Sequence, residues 1–316
     1  MTMNFLHTIK ALVLLFAVGA LTGCGQGPSV DARVEEARNR TEGPALWKVS
    51  DHNSTLYLYG TVHLLPDDTD WQRMDMQIAF DEVGTVFFEI PDNNQAALDA
   101  STMQRTHGRY TSGLRLSDHL GSLNQKLLFA AAHNADIPAA ALDNFKPWLV
   151  TDMLMIAAAE KAGLKAENSA DTVLRAKAKA AQKSIKTLDT MSTYIEAVAL
   201  QPDYVQMQAL EDTIANFDTL SSDIERVNAA WLIGDINSLE TDLILPAKQR
   251  SPELYKALFS ERNKKWARTL DVFLQGDGSG MAVVGIGHLV GTDGLPDQMI
   301  ELGYDVERVR RYDVSR

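Results

Sequence analysis

Two histidines stand three residues after a glycine, one near each end of the chain: Gly60 precedes His63, and Gly285 precedes His288. Each Gly-x-x-His follows directly on a short apolar run of the kind that forms a buried strand. In α/β sheets, ligands and catalytic groups gather outside the carboxyl ends of the strands. Glycine there lets the backbone turn and approach a ligand without a Cβ clash. Two such motifs at equivalent strand ends predict one site, with both imidazoles as functional groups and both glycines beside a substrate.

Glu89 is the third candidate, because it interrupts the apolar run 86–90 just before Pro91. A carboxylate buried there without a partner would be costly. Two neutral imidazoles and one carboxylate can hold a divalent ion and leave a position open for water. The same three groups can also act without metal as general acid and base. A third interpretation is that Glu89 is a structural carboxylate that accepts hydrogen bonds from the backbone.

Arg262 is the fourth candidate, by helical geometry. The range 252–275 is predicted to be a helix, with Ser251 as its N-cap. At 100° per residue, Arg262 points into the middle of the apolar face of this helix. A guanidinium there needs a carboxylate, a substrate or a transition-state oxyanion. A buried salt bridge of Arg262, with Glu89 as a candidate partner, is as good an interpretation as a catalytic role. Asn263, the next residue in the helix, could bind substrate.

The elements that must position these residues are strands at both ends of the chain and helices between them. Strands are predicted at 46–49, 55–59, 85–90, 185–188, 281–284 and 304–309, the first two as a hairpin. Helices are predicted within 117–134, 147–163, 170–183, 204–234 and 252–275. Because the strands come from both termini, one sheet must be completed by both. We therefore predict a single α/β domain at 45–316, with a mixed sheet and a long helical insertion.

The first residues are typical of a targeting signal. The apolar run 11–21 is well short of the roughly 20 residues that span a bilayer, and it suits a signal peptide. It ends at Leu21-Thr22-Gly23-Cys24, which resembles a bacterial lipobox. We expect a signal peptide at 1–23, lipidation of Cys24 and a tether at 24–44, with the domain in the periplasm. Gly25 after the cysteine favours the outer membrane, and the alternative is an ordinary signal peptide with an incidental cysteine.

Composition excludes several other classes of protein. The 316 residues include 42 acidic and 30 basic side chains, which give a formal charge of −12. Such a chain would repel phosphates, so we expect no nucleic-acid partner. A single cysteine excludes an intramolecular disulfide, a cysteine-rich zinc site and a Cys-x-x-Cys redox motif.

Taken together, these motifs resemble the TraB/GumN family, whose animal relatives are the Tiki proteases. The matching segments are LYGTVHL (58–64), FE (88–89), ERNKKW (261–266) and VGIGHLVG (284–291). The resemblance runs from about Leu46 to Val309. Two further segments, KPW (146–148) and LDT (188–190), look like family landmarks, although Asp189 stands where the family usually has glutamate.

The resemblance implies the fold of the Tiki and erythromycin-esterase-like group, with His63, Glu89 and His288 lining the site. It also implies metal-dependent peptide cleavage, with manganese or cobalt favoured and zinc as an alternative. We therefore expect His63 and His288 to bind metal, Glu89 and Arg262 to act in catalysis, and the substrate to be a peptide or protein. The second hypothesis is a non-catalytic lipoprotein that binds a peptide, a metal or haem in the same cleft.

Overall fold

The computed structural model of this chain describes residues 43–111 and 113–309. The expected signal peptide, Cys24 and the tether up to residue 42 lie outside the described residues, so the lipid anchor stays a prediction. Within the two described ranges, no helix combines the length and the apolar character needed to cross a membrane.

Six strands form one mixed sheet. They are β1 (Leu46–Ser50), β2 (Thr55–Thr61), β3 (Thr85–Phe88), β4 (Ser184–Thr187), β5 (Ser279–Gly285) and β6 (Asp305–Arg308). Their order across the sheet is β4-β3-β5-β2-β1-β6. The strands β4, β3, β5 and β2 are parallel, and β2, β1 and β6 are antiparallel. The predicted α/β class, the hairpin and the completion of the sheet by both termini are confirmed.

The apolar patterns explain this order. Residues 281–284 of β5 are fully buried, as expected of a continuous apolar run with a strand on each side and helices above and below. In the edge strands, only Ile185 of β4 is partly buried, whereas β6 alternates between exposed and partly buried residues. Because β2, β3 and β5 are parallel, their carboxyl ends lie at one edge of the sheet. Both Gly-x-x-His motifs and Glu89 follow from those three ends.

Helices fill the chain between the strands. They are α1 (Met74–Glu82), α2 (Asn94–His107), α3 (Ser122–Asn134), α4 (Ala139–Leu142), α5 (Pro147–Lys161), α6 (Ala170–Ala180), α7 (Met191–Ala199), α8 (Asp203–Ala215), α9 (Leu220–Leu232), α10 (Ile236–Leu239), α11 (Leu245–Arg250), α12 (Pro252–Tyr255), α13 (Glu261–Leu274) and α14 (Leu295–Glu301). Short 3-10 turns lie at Leu116–Asp118, Ala166–Asn168, Phe217–Thr219 and Ile286–His288.

Two predicted helical segments differ from the structure. The range 204–234 is divided into α8 and α9 by the 3-10 turn at Phe217–Thr219. The range 252–275 contains a π-helical segment, Lys256–Ser260, between α12 and α13. Ser251 precedes α12 but makes no side-chain cap hydrogen bond. A π-helical turn places one extra residue in the helix, and such turns often occur at functional sites. This one ends two residues before Arg262.

The helix α5 contains an isolated buried carboxyl group. Asp152 is 1% exposed, and neither of its side-chain oxygens has a hydrogen-bond partner within the part of the chain that is described. Burial raises the pKa of Asp152 well above its ordinary value, because the charged form is disfavoured away from water. Asp152 is therefore protonated in the folded protein at pH values where it is ionised in the unfolded chain.

We expect Asp152→Asn to become more stabilising as pH rises. Above the unfolded pKa, near 3.8, only the folded wild type keeps this proton, so its stability falls with pH by about 1.4 kcal/mol per unit until the folded pKa is reached. The stability of the asparagine variant does not fall with pH in this way, because asparagine does not ionise. Urea unfolding at about pH 5 and pH 7 measures the difference in the free energy of unfolding.

The exposed Glu160 on the same helix is the control, and Glu160→Gln should change stability by less than about 0.5 kcal/mol. An Asp152→Asn effect that is constant with pH would contradict the prediction.

Candidate functional site

His63 follows β2 and is held by a carboxylate. Its Nδ1 lies 2.8 Å from Oδ2 of Asp171, in the first turn of α6. The other carboxylate oxygen of Asp171 accepts a hydrogen bond of 2.9 Å from the hydroxyl of Thr61. Since a carboxylate only accepts, Nδ1 of His63 carries the proton and Nε2 keeps its lone pair. That Nε2 is buried and, among the described residues, has no hydrogen-bond partner.

The charge around His63 favours its protonated form. Burial alone would lower the pKa of His63, but the negative charges of Asp171 and Glu89 outweigh it, and the pKa is raised. His63 is therefore a stronger base than a free imidazole. This suits a residue that accepts a proton or binds a cation through Nε2.

Glu89 is ionised and fixed at both oxygens. Its Oε1 accepts the backbone N–H of Gly285 at 2.7 Å, and its Oε2 accepts Nη2 of Arg262 at 2.9 Å. Burial alone would raise the pKa of Glu89, but the nearby His288, Arg262 and His63 outweigh it, and the pKa is lowered. The buried charge is thus balanced by partners from three separate parts of the chain.

Arg262 joins this carboxylate to a second one. Its Nε donates to Oδ2 of Asp189 at 2.9 Å, and its Nη1 donates to the carbonyl of Leu258 in the π-helical segment at 3.0 Å. Asp189 also accepts Nε1 of Trp266 at 2.9 Å and Nζ of Lys265 at 2.6 Å. The predicted buried salt bridge between Arg262 and Glu89 is therefore present in the structure, and Asp189 is an additional partner of Arg262.

His288 is neutral and turned inward. Asn263 donates through Nδ2 to the carbonyl of Asp293 at 2.7 Å, so its Oδ1 is the atom that accepts Nδ1 of His288 at 2.6 Å. The lone pair of His288 is therefore on Nε2, 3.3 Å from Nη1 of Arg262 and 3.8 Å from Oε2 of Glu89. Burial lowers the pKa of His288 to about 3, so the imidazole is uncharged at neutral pH.

A cleft opens beside His63 and Glu89. Its other walls come from α6, through residues that include Asp171 and Arg175, and from the first turn of α2.

Comparison with known proteins assigns the chain to a family. Residues 45–308 match the model of the TraB/PrgY/gumN family. The chain belongs to that family. It is 28% identical over 152 residues to YbaP of Escherichia coli (strain K12), described as an uncharacterized protein, and equally to YbaP of Shigella flexneri. The match covers 48% of this chain and 55% of each relative, so the chain spans about half the length of the curated relatives that it matches. No solved structure matches the chain.

In this TraB/PrgY/gumN protein, the four residues predicted for the site lie together. His63 and Glu89 line the cleft, whereas Arg262, His288 and Asn263 lie behind them and do not line it. The catalytic, metal-binding and substrate-binding roles given to these residues stay predictions.

The two glycines of the motifs have packing and hydrogen-bonding tasks. A Cβ on Gly60 would lie 2.4 Å from Cδ1 of Ile286, and the carbonyl of Gly60 accepts Nε1 of Trp231 at 2.7 Å. Gly285 donates its N–H to Glu89. Contact of either glycine with a substrate stays a prediction.

Two important carboxylates did not follow from the sequence. Asp171 lies in a helix with no local motif, so nothing in the sequence indicates that it pairs with His63. Asp189 could have been inferred, because Arg262, Lys265 and Trp266 share one face of α13 and require a common acceptor.

The donor atoms of the site fit a metal ion only in part. Among the described residues, no group of three or more His, Cys, Asp or Glu side chains is arranged to hold a metal ion. Two donors fit: the unpartnered Nε2 of His63 lies 4.0 Å from Oε1 of Glu89, and both residues line the cleft. The bond from His63 to Asp171 is also the usual way of orienting a metal-binding histidine. His288 directs its lone pair to Arg262.

Proposed function

We propose that this protein is a hydrolase that cleaves peptide bonds in the cleft beside His63. The observation that carries the proposal is the state of His63: its proton is held on Nδ1 by Asp171, and its buried Nε2 has no partner among the described residues. A lone pair kept in this way is costly unless it accepts a proton or binds a ligand. The resemblance to Tiki-like members points to a peptide as the substrate.

A divalent metal ion, manganese or cobalt by resemblance, is part of the proposal. His63 and Glu89 would hold it, and when bound it lowers the pKa of a water ligand and polarises a carbonyl group. Glu89 is suited to this task because the Gly285 N–H and Arg262 fix its orientation and keep it charged.

The remaining residues act through His63 and Glu89. Asp171 keeps the proton of neutral His63 on Nδ1. Arg262 directs Nε, Nη1 and Nη2 to protein acceptors, so we propose that it positions Glu89. His288 and Asn263 complete the support behind Arg262. The expected lipid anchor at Cys24 would place the cleft in the bacterial periplasm, where peptides and proteins of the cell envelope are the available substrates.

The test is cleavage of a peptide library by the purified full chain, with Mn²⁺ or Co²⁺ and with a chelator. We expect metal-dependent cleavage that is lost in His63→Ala and kept in the matched control His52→Ala, since His52 is an exposed histidine in the β1–β2 turn. Cleavage that survives the chelator would mean that His63 acts as a base without metal. If neither protein cleaves, and peptide or metal binding is lost only in His63→Ala, the protein is a binding protein.

A further inference from the structure

Arg175 forms a wall of the cleft, one helical turn after Asp171 on α6. Its guanidinium carbon lies 4.0 Å from the centre of the Phe88 ring, and its Nη2 donates to the carbonyl of Ile90 at 2.8 Å. These two contacts fix the plane of the guanidinium. They use only one of its five N–H groups, which leaves a preorganised fork of donors at the cleft.

This partly buried cation makes no close salt bridge among the described residues, and the carboxylates of Asp92, Asp171 and Glu89 act on its charge only from a greater distance. In the part of the chain that the structure describes, the ion pairs within 4 Å that these three carboxylates make are with other residues than Arg175. The acidic groups around it are engaged elsewhere: Asp171 with His63, Glu89 with Arg262, and Asp92 with Lys179 at 3.6 Å. A partly buried guanidinium without a close salt bridge gains when a ligand supplies acceptors for its remaining N–H groups.

The helices around the cleft also favour a negative ligand. The N-cap residues of α2 and α6, Asn93 and Ser169, both line the cleft. The amino-terminal end of a helix carries a partial positive charge, which stabilises anions nearby. Two such ends and the Arg175 guanidinium therefore act on the same space.

We propose that Arg175 binds a carboxylate group of the substrate and so selects peptides that carry one beside the bond to be cleaved. A planar carboxylate matches the paired donors of a guanidinium. The carboxylate can be the free C-terminus of a peptide or the side chain of an aspartate or glutamate. This inference rests on the proposed peptide hydrolysis, and it adds the substrate class and the residue that recognises it.

The experiment compares peptides that the wild type cleaves in four matched forms. These are the free acid, the C-terminal amide, and each of them with the acidic side chains replaced by their amides. We expect wild-type kcat/KM to be about ten- to hundredfold higher for the forms that carry the recognised carboxylate, the effect of losing one or two charge-assisted hydrogen bonds. In Arg175→Gln this ratio should fall towards one, mainly through KM, and Arg175→Lys should restore part of it.

The outcomes separate this inference from the proposed function. An equal kcat/KM for all four forms in the wild type, or an unchanged ratio in Arg175→Gln, overturns the role of Arg175. If no peptide is cleaved, the proposed hydrolysis fails, and calorimetric titration with the same four peptides decides the inference. A carboxylate preference in binding that is lost in Arg175→Gln supports it, and equal or absent binding overturns it. Lys161→Gln, an exposed substitution outside the cleft, controls for a general loss of charge.

Discussion

Arg262→Met should lower the free energy of unfolding by about 3–5 kcal/mol. The guanidinium is 5% exposed and lies between two carboxylates, Glu89 and Asp189, that are each 4% exposed. Methionine fills similar space but leaves two buried charges without their common partner. Urea denaturation, followed by circular dichroism, measures the loss.

The control lies on the same helix. Lys264 pairs with Glu261 at 3.6 Å, and both side chains are about half exposed, so Lys264→Met should cost less than about 1 kcal/mol. Adding Glu89→Gln to Arg262→Met should recover part of the stability, because one unpaired charge is removed. If Arg262→Met costs no more than Lys264→Met, the two carboxylates are not held by Arg262 in solution.

Asp171→Asn should reduce kcat/KM for a cleaved peptide by about 10- to 100-fold while the fold is kept. The hydroxyl of Thr61 can still donate to the amide oxygen, which turns the amide NH₂ towards Nδ1 of His63. His63 then carries its proton on Nε2 and loses the lone pair of that atom. Peptide kinetics, together with Mn²⁺ affinity by calorimetry, measure the effect.

A matched control separates this effect from a loss of charge. Asp136 is exposed and pairs with Lys161 at 2.7 Å, away from the cleft, so Asp136→Asn should leave both measurements unchanged. Full activity of Asp171→Asn with unchanged metal affinity would show that the tautomer of His63 is not set by Asp171.

The parts of the fold that the sequence predicts are those with a local signal. The apolar runs of β2, β3 and β5 indicate buried strands, and the carboxyl ends of parallel strands must meet, which brings His63, Glu89 and His288 together. Arg262 is predictable because it interrupts an apolar helical face. Each of these signals is contained within one strand or one helix.

The other residues of the site have no such signal. Asp171 and Arg175 lie on α6 among lysines and alanines, and only the packing of α6 against the ends of β2 and β3 gives them partners. The π-helical segment before Arg262 also escapes prediction, because the same side chains suit an ordinary α-helix. The division between α8 and α9 follows no glycine or proline, the residues that most often mark a helix end.

The position of β5 has a consequence for synthesis of the protein. This strand is made after residue 278, yet it separates β2 from β3 and supplies the Gly285 N–H that binds Glu89. A nascent chain without β5 can neither join the two halves of the sheet nor assemble the ionic network around Arg262. The site therefore forms late, after nearly all of the domain has been translated, and a chain that ends early carries His63 without the partners that surround it.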